Sequence, residues 1–171
     1  EDMLEKAKEN TKEYQSQIEF YRMDAQNLGF ENNQFDVVIS RNLTWNLENP
    51  VQAYKEWFRV LKKGGVLLNF DANLYDEEKR MAYEKDRENV ERSQLDDHYL
   101  CTDIDRMEEI AKKVPLSAKN RPGWDVEVLK EIGFAEIRTD ERIWQSVWSE
   151  EERLNYASTP MFLVSGQKGE N

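Results

Sequence analysis

The sequence predicts an α/β fold in which helices cover a mostly parallel sheet. Two apolar runs of strand length, Phe35 to Ser40 and Val66 to Phe70, flank a segment from Pro50 to Leu61 with the spacing of an amphipathic helix. A strand, a crossover helix and a second strand form the right-handed unit of a parallel sheet. Such sheets bind their ligands beyond the carboxyl ends of the strands, and polar residues follow both runs here.

Local patterns predict the elements around this unit. The unbroken centre of the first run, Val37 to Ile39, predicts a strand that is buried on both faces. Alternation from Ile18 to Tyr21 predicts an earlier, half-buried strand that ends in a loop at Asp24. Helical spacing of apolar residues from Asp2 to Tyr14 predicts a surface helix before that strand.

Residues with capping chemistry mark the expected helix ends. Asn49 is expected to cap the crossover helix, and Gly64 with Gly65 to end it through a left-handed backbone. A later helix is expected to begin at Asp125 and to end at Gly133.

The chain is predicted to form one domain that spans residues 1–171, because its length suits a single well-buried core. Residues 76–121 include a charge-dense stretch and are predicted to form a helical insert, a candidate lid. Two further strands are predicted after this insert, at 134–139 and 161–165.

Composition excludes several classes of partner. The chain has 35 acidic and 24 basic residues, a formal net charge of -11, which disfavours binding to nucleic acid or to an anionic membrane surface. Apolar runs stay well short of the roughly 20 residues that a membrane-spanning helix needs. A single cysteine allows no internal disulfide, and a cytoplasmic location is therefore expected.

No catalytic residue and no metal site can be assigned from the sequence. His98 is the one histidine, and its charged surroundings favour an ordinary surface residue over a general base. Cys101 has no histidine at a supporting spacing, which favours a buried packing role. The acidic residues between 96 and 105 lack the spacing and the glycine of a calcium loop.

Three segments carry a resemblance to a known family: the helical stretch around Met3, Asp24-Ala25 after a predicted strand, and Ser40-Arg41-Asn42 at the end of the next strand. Together they resemble the carboxyl-terminal two thirds or so of a class I S-adenosylmethionine-dependent methyltransferase of the small-molecule type. The resemblance implies a Rossmann-like sheet that is mostly parallel, has an antiparallel last strand and lacks its first two strands.

The resemblance also implies which residues contact ligands. In the family, a methionine packs on the adenosine, an acid and a small residue bind the adenine edge, and the next strand end lines the methionine part. The corresponding residues here are Met3, Asp24, Ala25, Gln26, Arg41 and Asn42. Four aromatic residues near loops or the insert are candidates for an acceptor pocket, with plain packing or subunit contact equally open: Trp45, Tyr75, Tyr99 and Trp124.

The implied cofactor is S-adenosylmethionine, with S-adenosylhomocysteine as the product. In the family, a Gly-rich loop and a ribose-binding acid do most of the cofactor binding, and both would lie before Glu1. We therefore expect this chain to hold the cofactor only weakly. Sheet edges without their family neighbours would be unpaired, and this predicts a homodimer, a strand exchange or another partner.

The sequence leaves three hypotheses for function. The first is methyl transfer to a small-molecule acceptor, with the chain itself possessing little activity. The second is a non-catalytic α/β domain that oligomerises through exposed sheet edges. The third is a nicotinamide-dependent oxidoreductase, which shares the wound sheet, although the segments from Asn42 to Pro50 and after Pro160 resemble methyltransferases more.

Overall fold

The computed structural model describes residues 2–73, 106, 109–110, 112–156 and 159–169. In chain order, its helices and strands are α1 (Asp2–Asn10), β1 (Phe35–Arg41), α2 (Pro50–Val60), β2 (Leu61–Asp71), α3 (Gly123–Ile132), β3 (Phe134–Asp140), α4 (Trp144–Val147), α5 (Glu150–Tyr156) and β4 (Phe162–Lys168). Most of the predicted insert at 76–121 lies outside the described residues.

The four strands form one sheet in the order β1-β2-β4-β3. β1 and β2 are parallel, with Ser40 opposite Asn69. β4 runs antiparallel to both of its neighbours, β2 and β3. The predicted α/β architecture with an antiparallel last strand is therefore confirmed.

The core lies between the sheet and the two longer helices that follow β1 and β2 in the described chain. Tyr54 and Trp57 of α2 and Leu129 of α3 belong to the same buried cluster as Leu67 of β2 and Val164 of β4. Burying one large apolar side chain completely contributes about 1.5–3 kcal/mol, and this cluster therefore fixes both helices on the sheet.

The prediction that β1 is buried on both faces is wrong. The side chains of Val37 and Ile39 are 48% and 65% exposed. β1 lies at the edge of the sheet, and α2 and α3 pack on the opposite face from these two side chains. An apolar run predicts burial, but burial also requires an element that covers the strand.

The strand predicted around Ile18 is also wrong, because residues 18–23 have no regular secondary structure. A strand needs a neighbour that pairs with its backbone, and the described sheet has none at this position. Aromatic side chains pack against each other in this region instead. Phe30 makes edge-to-face contacts with Tyr21 and Phe35, with ring centres 5.2 and 4.9 Å apart.

The helix ends follow the predictions only in part. The Asn49 side chain accepts a hydrogen bond from the backbone of Gln52, and Gly133 ends α3 with a φ of 109°, as predicted. α2 already ends at Val60, and Gly64, with a φ of 74°, lies within β2 where the register with β1 shifts. Asp125 does not cap α3, because it is buried inside the first turn.

Candidate functional site

The carboxyl ends of β1 and β2 lie side by side, because the two strands are parallel neighbours. The chain leaves β1 at Asn42, which has a left-handed backbone with a φ of 52°. Its N–H donates to the carbonyl of Phe70 on β2, over 2.9 Å. Asparagine tolerates this conformation better than most residues, which accounts for its place at the turn.

Asp71 joins the two strand ends. It is the last residue of β2, and its side chain is completely buried. Its Oδ2 accepts a hydrogen bond from the backbone N–H of Trp45 over 2.8 Å, and its Oδ1 accepts from the N–H of Ala72 over 3.0 Å. The carboxylate therefore holds the segment after β1 against the end of β2.

Arg121 neutralises this buried acid. Its Nη1 lies 2.9 Å from Asp71 Oδ2, while Nε and Nη2 donate to both carboxylate oxygens of Asp125 over 2.9 and 2.8 Å. Burial raises the pKa of the Asp71 carboxyl, and the charge of Arg121 opposes that rise. Burial lowers the pKa of Arg121. The hydrogen bonds to Asp125 and the negative charge of Asp71 raise it, and these two effects outweigh burial.

A chain of buried hydrogen bonds extends from this ion pair. The Tyr54 hydroxyl donates to Asp125 over 2.6 Å and accepts from Asn69 Nδ2 over 2.8 Å. The Thr44 hydroxyl donates to the side-chain oxygen of Asn69 over 2.9 Å. Burial is the main reason that the pKa of Tyr54 is raised. The network therefore ties the segment after β1 to α2, β2 and α3.

This buried network was not predicted from the sequence. A signal was present, because Asn69 and Asp71 follow Leu67 at alternate positions of one strand and share its buried face. Polar side chains on a buried face require partners. The sequence could not identify Arg121 as that partner, since it lies 50 residues beyond Asp71 in the chain.

The predicted adenine-binding segment lies against the start of α2. Asp24 Oδ1 accepts hydrogen bonds from the backbone N–H and the side-chain amide of Gln26, over 2.9 and 3.1 Å. These bonds lower the pKa of Asp24, and the backbone contribution is the larger. The Gln26 oxygen in turn accepts from the N–H of Asn49 over 2.6 Å. Both the nitrogen and the oxygen of the Gln26 side-chain amide are therefore hydrogen-bonded within the protein, and Gln26 orients Asp24.

Three further predicted site residues differ in their surroundings. Arg41 is exposed and forms an ion pair with Glu152 of α5. Met3 is 88% exposed, and its contact with the adenosine of the cofactor stays a prediction. Trp124 packs against the core, with its ring 6.4 Å from that of Tyr54.

Four residues that the sequence singles out lie in the part of the chain that the structure does not describe. Tyr75, Tyr99, His98 and Cys101 lie outside the described residues. Over the residues that are described, no group of three or more histidine, cysteine or acidic side chains is arranged to hold a metal ion. In the same part of the chain, no helix is long and apolar enough to cross a membrane.

The segment that carries Asp24, Gln26, Arg41 and Asn42 matches a known family. A family model described as a methyltransferase domain matches residues 1–69, which end inside β2. Residues 1–69 are therefore similar to a methyltransferase domain. The four-stranded sheet is the Rossmann-like fold of class I methyltransferases, with the matched segment supplying β1, α2 and most of β2.

Proteins with sequence similarity to this chain include two demethylmenaquinone methyltransferases. The protein from Staphylococcus haemolyticus is 43% identical over 68 residues, and the one from Leptospira interrogans is 43% identical over 74 residues. These segments amount to 40% and 42% of this chain. They amount to 28% and 30% of the two relatives, so the chain matches less than a third of either protein.

Solved structures extend the similarity to the rest of the methyltransferase fold. A Bacillus halodurans protein assigned as a methyltransferase aligns with a TM-score of 0.58 at 19% identity, over 99% of this chain and 80% of that protein. A Haemonchus contortus phosphoethanolamine methyltransferase, solved with S-adenosylhomocysteine, gives 0.51 at 17%, over 85% and 36%. The cyclase SpnF gives 0.57 at 14%, over 98% and 63%. The fold alone therefore does not fix the reaction.

Proposed function

We propose that this protein takes part in methyl transfer from S-adenosylmethionine to a small-molecule acceptor, with S-adenosylhomocysteine as the product. The match of residues 1–69 to a methyltransferase domain carries this proposal. Further support comes from relatives that are named as methyltransferases and from a structural neighbour that was solved with S-adenosylhomocysteine.

The proposed cofactor site lies at the carboxyl edge of the sheet. Asp24 is exposed, and its Oδ1 is occupied by Gln26, which leaves Oδ2 to accept from the adenine amino group. Arg41 and Asn42, at the end of β1, would line the methionine part of the cofactor. Met3 and Ala25 complete the proposed set, and Gln26 acts by orienting Asp24.

The chemistry demands little from the side chains. The sulfonium of the cofactor is already primed to lose its methyl group, and the protein has to bring the acceptor atom into line with it. Residues 43–46 are the proposed location of the acceptor. Asp71 holds this segment through the hydrogen bond that it accepts from the Trp45 N–H. We assign no general base and no metal ion to the reaction.

The acceptor is proposed only as a small molecule. The demethylmenaquinone methyltransferases align over 40–42% of this chain, and the remaining part supplies most of the lid and acceptor candidates. A quinone acceptor would therefore rest on the larger part of the chain, which does not align with these relatives.

Calorimetric titration tests the cofactor assignment. Wild type and Asp24→Ala are titrated with S-adenosylhomocysteine, and NADH serves as the ligand of the oxidoreductase hypothesis. Asp140→Ala is the matched control, because Asp140 also accepts from the backbone N–H two residues on, over 2.8 Å, but lies in β3. We expect Asp24→Ala to weaken binding roughly tenfold, the usual effect of losing one hydrogen bond to a charged group. Equal affinity of all three proteins would contradict the assignment.

A second candidate function is assembly through the edge of the sheet. Val37 and Ile39 on the edge strand β1 are 48% and 65% exposed, and edge strands with apolar side chains tend to pair with other chains. A homodimer or a strand exchange would satisfy this edge. The solution mass of wild type and of Ile39→Lys tests this candidate function. A wild-type dimer that the substitution converts to a monomer supports assembly, and a wild-type monomer contradicts it.

We also propose a cytoplasmic location. The sequence has one cysteine, so no disulfide can form within it, which suits a reducing compartment. Cell fractionation followed by immunoblotting tests this proposal, and recovery with the membrane fraction would contradict it.

A further inference from the structure

Segment 24–34, which includes the proposed adenine-binding residues, is attached to α2 along the whole length of that helix. At the start of α2, the N–H of Asn49 donates to Gln26. At its end, the N–H groups of Asn33 and Gln34 donate to the carbonyls of Arg59 and Val60, over 3.1 and 2.7 Å. α2 therefore provides hydrogen-bond partners for the segment, as a neighbouring strand would.

The middle of the segment is held by two charged side chains. Glu56 and Arg59 of α2 form a two-pronged ion pair, with Nε–Oε1 and Nη2–Oε2 separations of 3.0 and 2.8 Å. Glu56 Oε2 also accepts from the N–H of Leu28 over 3.0 Å, and Arg59 Nη2 donates to the carbonyl of Leu28 over 3.0 Å. The pair thus satisfies both backbone groups of a single residue.

Arg59 extends this contact further along the segment. Its Nη1 donates to the carbonyl of Phe30 over 2.7 Å and to the side-chain oxygen of Asn32 over 3.0 Å. The Glu56 side chain is 12% exposed, and its hydrogen bond with Arg59 lowers its pKa. A planar guanidinium can make such a set of directed bonds at once, whereas an ammonium group cannot.

We propose that Glu56 and Arg59 are positioning residues for the cofactor segment. They substitute for strand pairing at Leu28, and Leu28 follows Gln26 by two residues. Ala25 and Leu28 also pack against the core cluster, which limits the remaining freedom of the segment. The inference rests on the proposed function, since it assigns these residues to the cofactor through the orientation of Asp24.

Hydrogen exchange at the Leu28 amide tests the holding step without any ligand. Arg59→Met removes the guanidinium, and Arg138→Met is the matched control, because the Arg138–Glu136 pair is exposed on β3. We expect the Leu28 amide to exchange at least about tenfold faster in Arg59→Met, the effect of losing one net hydrogen bond, and as in wild type in Arg138→Met. Arg59→Lys, which keeps the charge but not the fork, should fall in between.

Two outcomes would overturn the holding step. One is an unchanged Leu28 amide in Arg59→Met. The other is an equal acceleration at Leu67 and Val164 in the core strands, because this would mean a general loss of stability. We expect those two amides to keep their protection.

Titration with S-adenosylhomocysteine then tests the link to the cofactor. Arg59→Met should bind the ligand about tenfold more weakly than wild type, and Arg138→Met should bind it equally well. Equal binding by Arg59→Met, despite a faster Leu28 amide, would overturn the positioning role. If wild type itself fails to bind, the proposed function fails, and the exchange result alone supports or overturns the holding of the segment.

Discussion

Arg121 and Asp71 form an ion pair that is closed off from solvent, with 2.9 Å between Nη1 and Oδ2 and side chains only 1% and 0% exposed. The same guanidinium binds Asp125, whose side chain is also completely buried. One positive charge thus serves two carboxylates at the point where the end of β2 meets the beginning of α3. Loss of the guanidinium would leave both buried acids without this counter-charge.

Arg121→Met is therefore expected to reduce the free energy of unfolding by about 3–5 kcal/mol, the usual cost of removing one partner from a buried ion pair. Urea denaturation followed by circular dichroism measures this loss. Arg138→Met, at an exposed pair, is the control and should stay within about 0.5 kcal/mol of wild type. A loss below about 1 kcal/mol for Arg121→Met would mean that the acids find other partners or become protonated without strain.

The buried Tyr54 hydroxyl predicts a dependence of stability on alkaline pH. Burial raises the pKa of Tyr54 in the folded protein above its unfolded value of about 10. Above that pH the unfolded chain loses a proton that the folded chain keeps, and stability therefore falls as pH rises towards the folded pKa. The difference in unfolding free energy between wild type and Tyr54→Phe should shrink between about pH 9.5 and 11. A constant difference would contradict the prediction.

Asn49 has two roles at the start of α2, because its side chain caps the helix and its N–H donates to Gln26. Asn49→Ala removes the first role and keeps the second. We expect a loss of about 1 kcal/mol in unfolding free energy, as is usual for an N-cap. Asn46→Ala, at an exposed residue of the preceding turn, is the comparison in thermal denaturation. Equal melting temperatures of the two variants would show that the cap contributes nothing.

Gly65 lies where β2 passes close to β1. A Cβ atom at this position would lie 2.8 Å from the carbonyl oxygen of Lys62 and 3.1 Å from that of Asp36. Gly65→Ala should therefore cost about 1–3 kcal/mol, the usual effect of overpacking against backbone. Gly123→Ala is the matched control, since nothing lies within 4 Å of its Cβ, and we expect it to be nearly neutral. Similar stabilities of the two variants would show that the strands can separate at Gly65.

The parts of the fold that the sequence predicted depend on local chemistry. The apolar runs of β1 and β2, the spacing along α2 and the cap at Asn49 are each readable within a few residues. The end of α3 at Gly133 is equally local, because the left-handed turn needs a glycine.

The parts that the sequence did not predict depend on distant neighbours. The apolar stretch around Ile18 reads as a strand, but no other strand is there to pair with it. The predicted burial of Val37 and Ile39 is wrong for the same reason, because burial needs another element packed over these side chains, and the local sequence does not encode one. The Arg121–Asp71 pair joins residues that are 50 positions apart, and no local pattern points from one to the other.

We propose above that the carboxyl edge of the sheet binds S-adenosylmethionine or its product. Nuclear magnetic resonance of the isotope-labelled chain during titration with S-adenosylhomocysteine tests it most directly, because shift changes are visible even when binding is weak. We expect changes at the amides of residues 24–26 and 41–45, with those of β3 unchanged. Unchanged amides at both segments up to millimolar ligand, or changes confined to other parts of the chain, would contradict it.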